Sequence, residues 1–159
     1  EAVFADIATL RTGGKVDDYF IIHLMKPARM PEVKITLKAS YLMCENEPRF
    51  VLHGTEGSYV KYGLDPQEAD LTKGMLPDTP HWGEEDESQW GILHTETDGN
   101  VVRKPYPTLP GNYAAFYENI YQHIRNGAVL QSDACGVLGV IRLIEAAWES
   151  SRTGNVIKL

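Results

Sequence analysis

The order of hydrophobic periods constrains this chain most. Apolar residues recur every second position through the first two-thirds and every third or fourth position through the last third. A two-residue period puts one set of side chains on each face of a strand, whereas a 3.6-residue period marks one stripe of a helix. Strands followed by helices, rather than the two alternating, predict the α+β class: a large, mostly antiparallel open β-sheet with helices packed on one face.

The alternation is under way at the first residue, in Glu1-Ala2-Val3-Phe4-Ala5-Asp6-Ile7-Ala8, with no initiator Met and no polar lead-in. That start is expected of a domain cut from a longer protein, because an ordered terminus has to be tied into a sheet or docked. Thr12-Gly13-Gly14-Lys15 predicts a tight primed turn, and Asp17 to Lys26 the return strand. Val33, Ile35, Leu37, Ala39, Tyr41 and Met43 alternate with polar residues as a third strand. Further strands are expected at Arg49–His53 and Ser58–Tyr62. A last hairpin pairs Trp90–His94 with Val101–Lys104 around Asp98-Gly99. Asp65, Pro66, Glu68 and Gly74 carry the start and stop signals of a short helix. Met75 to Ser88 then reads as a long loop, a kind that is often functional. Asn112 and Gly127 bracket one amphipathic helix. A second, from about Ser132 to Arg152, is apolar on most sides and is expected to be covered by the sheet and its neighbour helix.

With 159 residues, the chain suits a single domain spanning 1–159, large enough to bury about 70% of its unfolded surface. Its formal charge of -7 argues against a nucleic-acid partner, which selects a basic face. No apolar run reaches the roughly 20 residues of a membrane span. Cys44 and Cys135 lack metal-ligand neighbours and are expected as buried free thiols, which makes the cytoplasm the default compartment.

No motif stands alone as catalytic. His23, His53, His81, His94 and His123 are scattered, and those in strands are expected to be structural. There is no P-loop, GxSxG or GxGxxG. The run Glu84-Glu85-Asp86-Glu87 lacks the ligand spacing of a calcium loop and reads as a solvated segment. Trp82, beside it, is costly to leave in water and is expected to pack against the body, a ligand or another subunit. Tyr113, Tyr117 and Tyr121 share a helix face. Tyr117 and Tyr121 are expected to reach the sheet edge, while Tyr113, in the first turn, is better placed to touch a ligand.

Several segments, in order, are similar to one family. They are Ala5-Asp6-Ile7 with Asp17-Asp18-Tyr19-Phe20, Phe50 to Lys61, Gly63-Leu64-Asp65-Pro66-Gln67-Glu68, Asn112 to Tyr117, and Ile141 to Ala147 with Ser150-Ser151 and Gly154. Over essentially its whole length the chain resembles the C-terminal domain of the glucose-fructose oxidoreductase / inositol dehydrogenase / rhizopine-catabolism (Gfo/Idh/MocA) family. The resemblance implies a two-domain oxidoreductase acting on a sugar or polyol. NAD or NADP would be held by a Rossmann domain absent from this chain, and none by the chain itself. It also implies that the catalytic Lys, Asp and His lie outside this sequence, so no catalytic, cofactor-binding or metal-binding residue carries over. The part present would wall the substrate site and form a homo-oligomer through its open sheet face. For such a wall Trp82, Tyr106 and Tyr113 are the substrate-side candidates, since rings and phenols suit the CH faces and hydroxyls of sugars. The competing reading is a non-catalytic α+β ligand-binding or dimerisation module. A GxGxxG upstream of Glu1 would discriminate the two.

Overall fold

A computed structural model describes all residues except Ala28 and Arg29 and the side chain of Thr97. The chain forms two compact units, Glu1–Cys44 with Gln131–Leu159, and Glu45–Leu130. The expected α+β architecture of antiparallel strands and helices is present, and its strands are shared between two four-stranded sheets.

In the first unit, β1 (Ala2–Ala8) pairs with β2 (Tyr19–Met25), and β2 with β3 (Ile35–Ser40). The short β8 (Ile157–Lys158) joins the other side of β1 at Ala2 and Val3. Alternation puts Val3, Ala5 and Ile7 on one face with Ile22 and Leu24, and α3 (Ala134–Thr153) lies there. Ala146 and Ala147 are buried against Val3 and Ala5, because methyl side chains let the helix approach closely. Beyond β8 the edge of β1 would be left unpaired, and two helix serines seal it. Ser150 Oγ accepts from Ala5 N–H at 3.0 Å, and Ser151 Oγ accepts from Ile7 N–H at 2.9 Å. Gly154, at φ 69°, ends the helix.

Three expectations change here. The connection from β1 to β2 is not a tight primed turn but a loop from Thr9 to Asp18, organised by the Asp18 carboxylate. That group accepts from Leu10 N–H (2.7 Å), Arg11 N–H (3.2 Å) and Arg11 Nε (2.8 Å). Nor is α3 covered on most sides. Its packed stripe is narrow, with Leu143, Ala146, Ala147 and Ser150 turned to the sheet, and Val137, Leu138, Val140, Ile141, Ile144 and Trp148 remain exposed. Cys44 and Cys135 are free but exposed rather than buried, one beyond β3 and one in the first turn of α3.

In the second unit, β4 (Phe50–His53), β5 (Gly57–Lys61), β6 (Gly91–Thr97) and β7 (Asn100–Tyr106) lie in chain order, each antiparallel to the next. Asp98 and Gly99 both have positive φ, 53° and 73°, as a two-residue primed hairpin requires. The short helix α1 (Gln67–Thr72) has no side-chain cap hydrogen bond. Instead of a capping box, Asp65 Oδ1 accepts from Gln67 N–H at 3.0 Å in a turn just before the helix. The helix α2 (Tyr113–Asn126) starts where Asn112 Oδ1 accepts from Ala115 N–H at 3.0 Å, and stops at Gly127. Tyr117 and Tyr121 are exposed on it. No helix among the described residues is long and apolar enough to cross a membrane.

Candidate functional site

The second unit is organised around Gln67, whose exposure is 0%. Its amide oxygen accepts from Trp82 Nε1 and from the Tyr113 backbone N–H, both at 2.8 Å. Its Nε2 donates to both Asp65 oxygens, at 3.1 and 2.9 Å. One buried amide thus ties the start of α1, the 75–90 loop and the first turn of α2 together. Leaving such a group unpaired would cost about 1–3 kcal/mol, so these partners hold one another in place. Gly111 N–H donates to Gly83 O at 3.0 Å beside them. A Cβ on Gly83 would overlap the Gly111 carbonyl, and the Gly83 φ of 72° independently favours glycine.

The second feature is an ion pair. Lys61, the last residue of β5, shares its sheet face with Gly57 and Tyr59 by alternation and points inward. Its Nζ donates to Glu85 Oε2 and Oε1 at 2.5 and 2.6 Å, to Gln89 O at 3.0 Å and to Thr108 Oγ1 at 3.3 Å. The side chains are only 9% and 4% exposed. The acidic run 84–87 is therefore not wholly solvated, as its composition predicts: Glu85 turns in because a buried lysine requires a counter-charge. Among the described residues, no three His, Cys, Asp or Glu side chains converge as a metal set.

A cleft of about 350 Å³ opens beside this pair, bounded by Arg49, Lys61, Asp65, Glu85, Thr108 and Leu109. It combines a polar floor with apolar walls, the make-up of small-molecule sites. Of the candidates from sequence, Trp82 and Tyr113 are brought together through Gln67. Tyr113 contributes its backbone N–H there, and its side chain is part-exposed beside Leu71 and Pro77. Tyr106 is not part of the cluster; it ends β7 opposite Gly91 with its ring half exposed. The sequence reading missed Gln67, Lys61, Glu85 and Arg49. Only Lys61 carried a signal, a charge at the inward position of an apolar strand. His53 and His23, read as structural, bond Ser58 and Thr36 across their strand pairs at 2.9 and 3.1 Å.

The starts of the two long helices, α2 and α3, do not offer an open phosphate cradle. A dinucleotide pyrophosphate is commonly held by free N–H groups at a helix N-terminus. Here the Asp133 carboxylate fills that position on α3, accepting from Gly136 N–H at 2.8 Å, and the Asn112 side chain fills it on α2. A carboxylate on the Gly136 N–H repels a phosphate as well as occupying that donor.

A protein of Bacteroides fragilis provisionally named an oxidoreductase has a solved structure that matches all of this chain at 59% identity and TM-score 0.94, over 47% of its own length. An oxidoreductase from Bacillus cereus matches 99% of the chain at 33% identity and TM-score 0.86, over 45% of its own length. Scyllo-inositol 2-dehydrogenase (NADP(+)) IolW of Bacillus subtilis is 33% identical across 159 residues, all of this chain and 43% of that enzyme. The chain thus spans less than half the length of the relatives it matches. Residues 2–159 fit the model of the oxidoreductase family's C-terminal alpha/beta domain, GFO_IDH_MocA_C, and the chain belongs to the Gfo/Idh/MocA oxidoreductase family.

Proposed function

We propose that this chain is the substrate-side half of an NAD(P)-dependent oxidoreductase acting on a sugar or polyol. The observation that carries the reading is the similarity, along the whole chain, to an enzyme named for scyllo-inositol and NADP(+). In the full-length parent, hydride passes between a substrate carbon and a nicotinamide bound by the other half, while this half supplies a wall of the site. Its groups for that role are the Gln67-linked Trp82 and Tyr113 and the cleft beside Lys61. Cytoplasmic location belongs to the same reading, supported by two unpaired cysteines. The test is kinetic. In the full-length parent, Tyr113→Phe and Trp82→Ala are expected to lower kcat/KM on the preferred polyol by about 5- to 150-fold, with Tyr113→Phe leaving the melting temperature unchanged. Wild-type kinetics in both would leave this half a scaffold, and no turnover on a panel of sugars and polyols with either nicotinamide would overturn the reading.

Self-association is part of the proposal. The edge strand β4 exposes Phe50, Val51 and Leu52, and β7 exposes Val101 and Val102. These residues lie at the two opposite edges of the sheet, where unpaired strands are templates for another chain, and a second copy is the occupant expected. Sedimentation should give a dimer or higher oligomer that Leu52→Asp shifts toward monomer. A strict monomer over a wide concentration range would refute it.

A further inference from the structure

Four ionisable side chains border the 350 Å³ cleft: Arg49, Lys61, Asp65 and Glu85. Lys61 and Glu85 are engaged with each other and buried. The other two are exposed and differently prepared. Arg49 has no hydrogen-bond or ion-pair partner among the described residues. Asp65 faces solvent, yet it is not free to turn: the buried Gln67 donates to it through both its backbone N–H and its Nε2. A carboxylate has about four acceptor positions, and three contacts leave one open. The cleft therefore presents a free donor fork and a fixed acceptor whose orientation is set by a buried amide behind it.

Hydroxyl groups both donate and accept, so a guanidinium and a carboxylate bordering one cleft match separate hydroxyls of one ligand. The charges decide the ligand's own charge. The four groups sum to zero, which leaves the cleft lining no net charge with which to select an anion or a cation. The rim completes the match. Leu109 is 87% exposed, and Leu64 and Phe50 also open their apolar faces beside this polar floor. A ring with CH faces and hydroxyl edges covers the one and satisfies the other, and the volume suits a single small ring.

We propose that this cleft is a subsite for an uncharged polyhydroxylated ring, in which Arg49 donates to one hydroxyl, Asp65 accepts from another and Leu109 covers the CH face. The inference rests on the sugar or polyol reading and names the residues that would do the recognising.

The experiment is calorimetric titration of the full-length parent with scyllo-inositol, and with gluconate as an anionic comparator. Wild type is expected to bind scyllo-inositol saturably and gluconate no more tightly. Arg49→Met and Asp65→Asn should each raise the Kd for scyllo-inositol by about tenfold or more, and Leu109→Ser severalfold. Arg49 and Leu109 are exposed, so those variants test the subsite even if Asp65→Asn loosens the Gln67 cluster. Unchanged Kd values in Arg49→Met and Leu109→Ser, tenfold tighter gluconate, or no saturation by either probe would overturn the subsite. Turnover of scyllo-inositol with NADP(+) separates the two ideas. Binding that Arg49→Met weakens, without turnover, supports the subsite and overturns the dehydrogenase reading. Turnover whose KM is unmoved by Arg49→Met overturns the subsite alone.

Discussion

Asp18 shows how much one side chain can organise. The backbone N–H of Leu10, then the side chain of Arg11, hold its carboxyl below the ordinary value of 3.8. A carboxylate whose folded value is depressed stabilises the fold above the unfolded value and loses that contribution as pH falls through the folded one. Asp18→Asn is therefore expected to melt lower than wild type at pH 7. The gap should narrow below about pH 4, as the unfolded and then the folded carboxyl protonate. Thermal melts from pH 2.5 to 8 measure it; a gap independent of pH would show that the carboxylate's charge does not matter. Lys61 offers a second test at this scale. Lys61→Met leaves Glu85 buried without a counter-charge and should cost about 3–5 kcal/mol in denaturant unfolding. Lys61→Met with Glu85→Leu should recover most of it, since a well-packed apolar pair is as stable as a buried ion pair. A double variant no better than the single would mean that the Gln89 and Thr108 contacts carry the stability instead.

For whole elements, the last helix separates what propensity does from what packing does. Asp133 caps the start of α3, so Asp133→Ala should cost about 0.5–2 kcal/mol. In the same helix Gly139 has nothing within 4 Å of the position a Cβ would take. Gly139→Ala is therefore expected to raise stability by about 0.4–1 kcal/mol, through helix propensity and a less disordered unfolded chain. The opposite is expected for Gly83→Ala, where positive φ and the Gly111 carbonyl both oppose a methyl group. Its melting temperature should fall, and proteolysis should open the 75–90 loop first. Equal melting temperatures for Gly83→Ala and Gly139→Ala would refute this contrast.

For the molecule as a whole, the capped starts of α2 and α3 predict that residues 1–159 alone bind neither NAD(H) nor NADP(H) at micromolar concentration and turn over no polyol. Fluorescence titration checks this, and micromolar binding would contradict it. Most of the secondary structure was legible in the sequence, because period and punctuation are local properties. Asn112 and Gly127 bounded α2 to the residue, and Asp98-Gly99 located the β6–β7 turn. Family membership was legible too, carried by ordered short segments rather than by any one motif. The grouping of strands into two sheets was not, since alternation names a strand's faces without naming its neighbour. Nor was the site. Gln67 looked like an ordinary first-turn residue and Glu85 like one charge in a hydrated run. Their roles arise because β5, α1, the 75–90 loop and α2 converge on one place. There the loss of water makes a lysine need a carboxylate and an amide need all its partners, and that requirement belongs to tertiary structure alone.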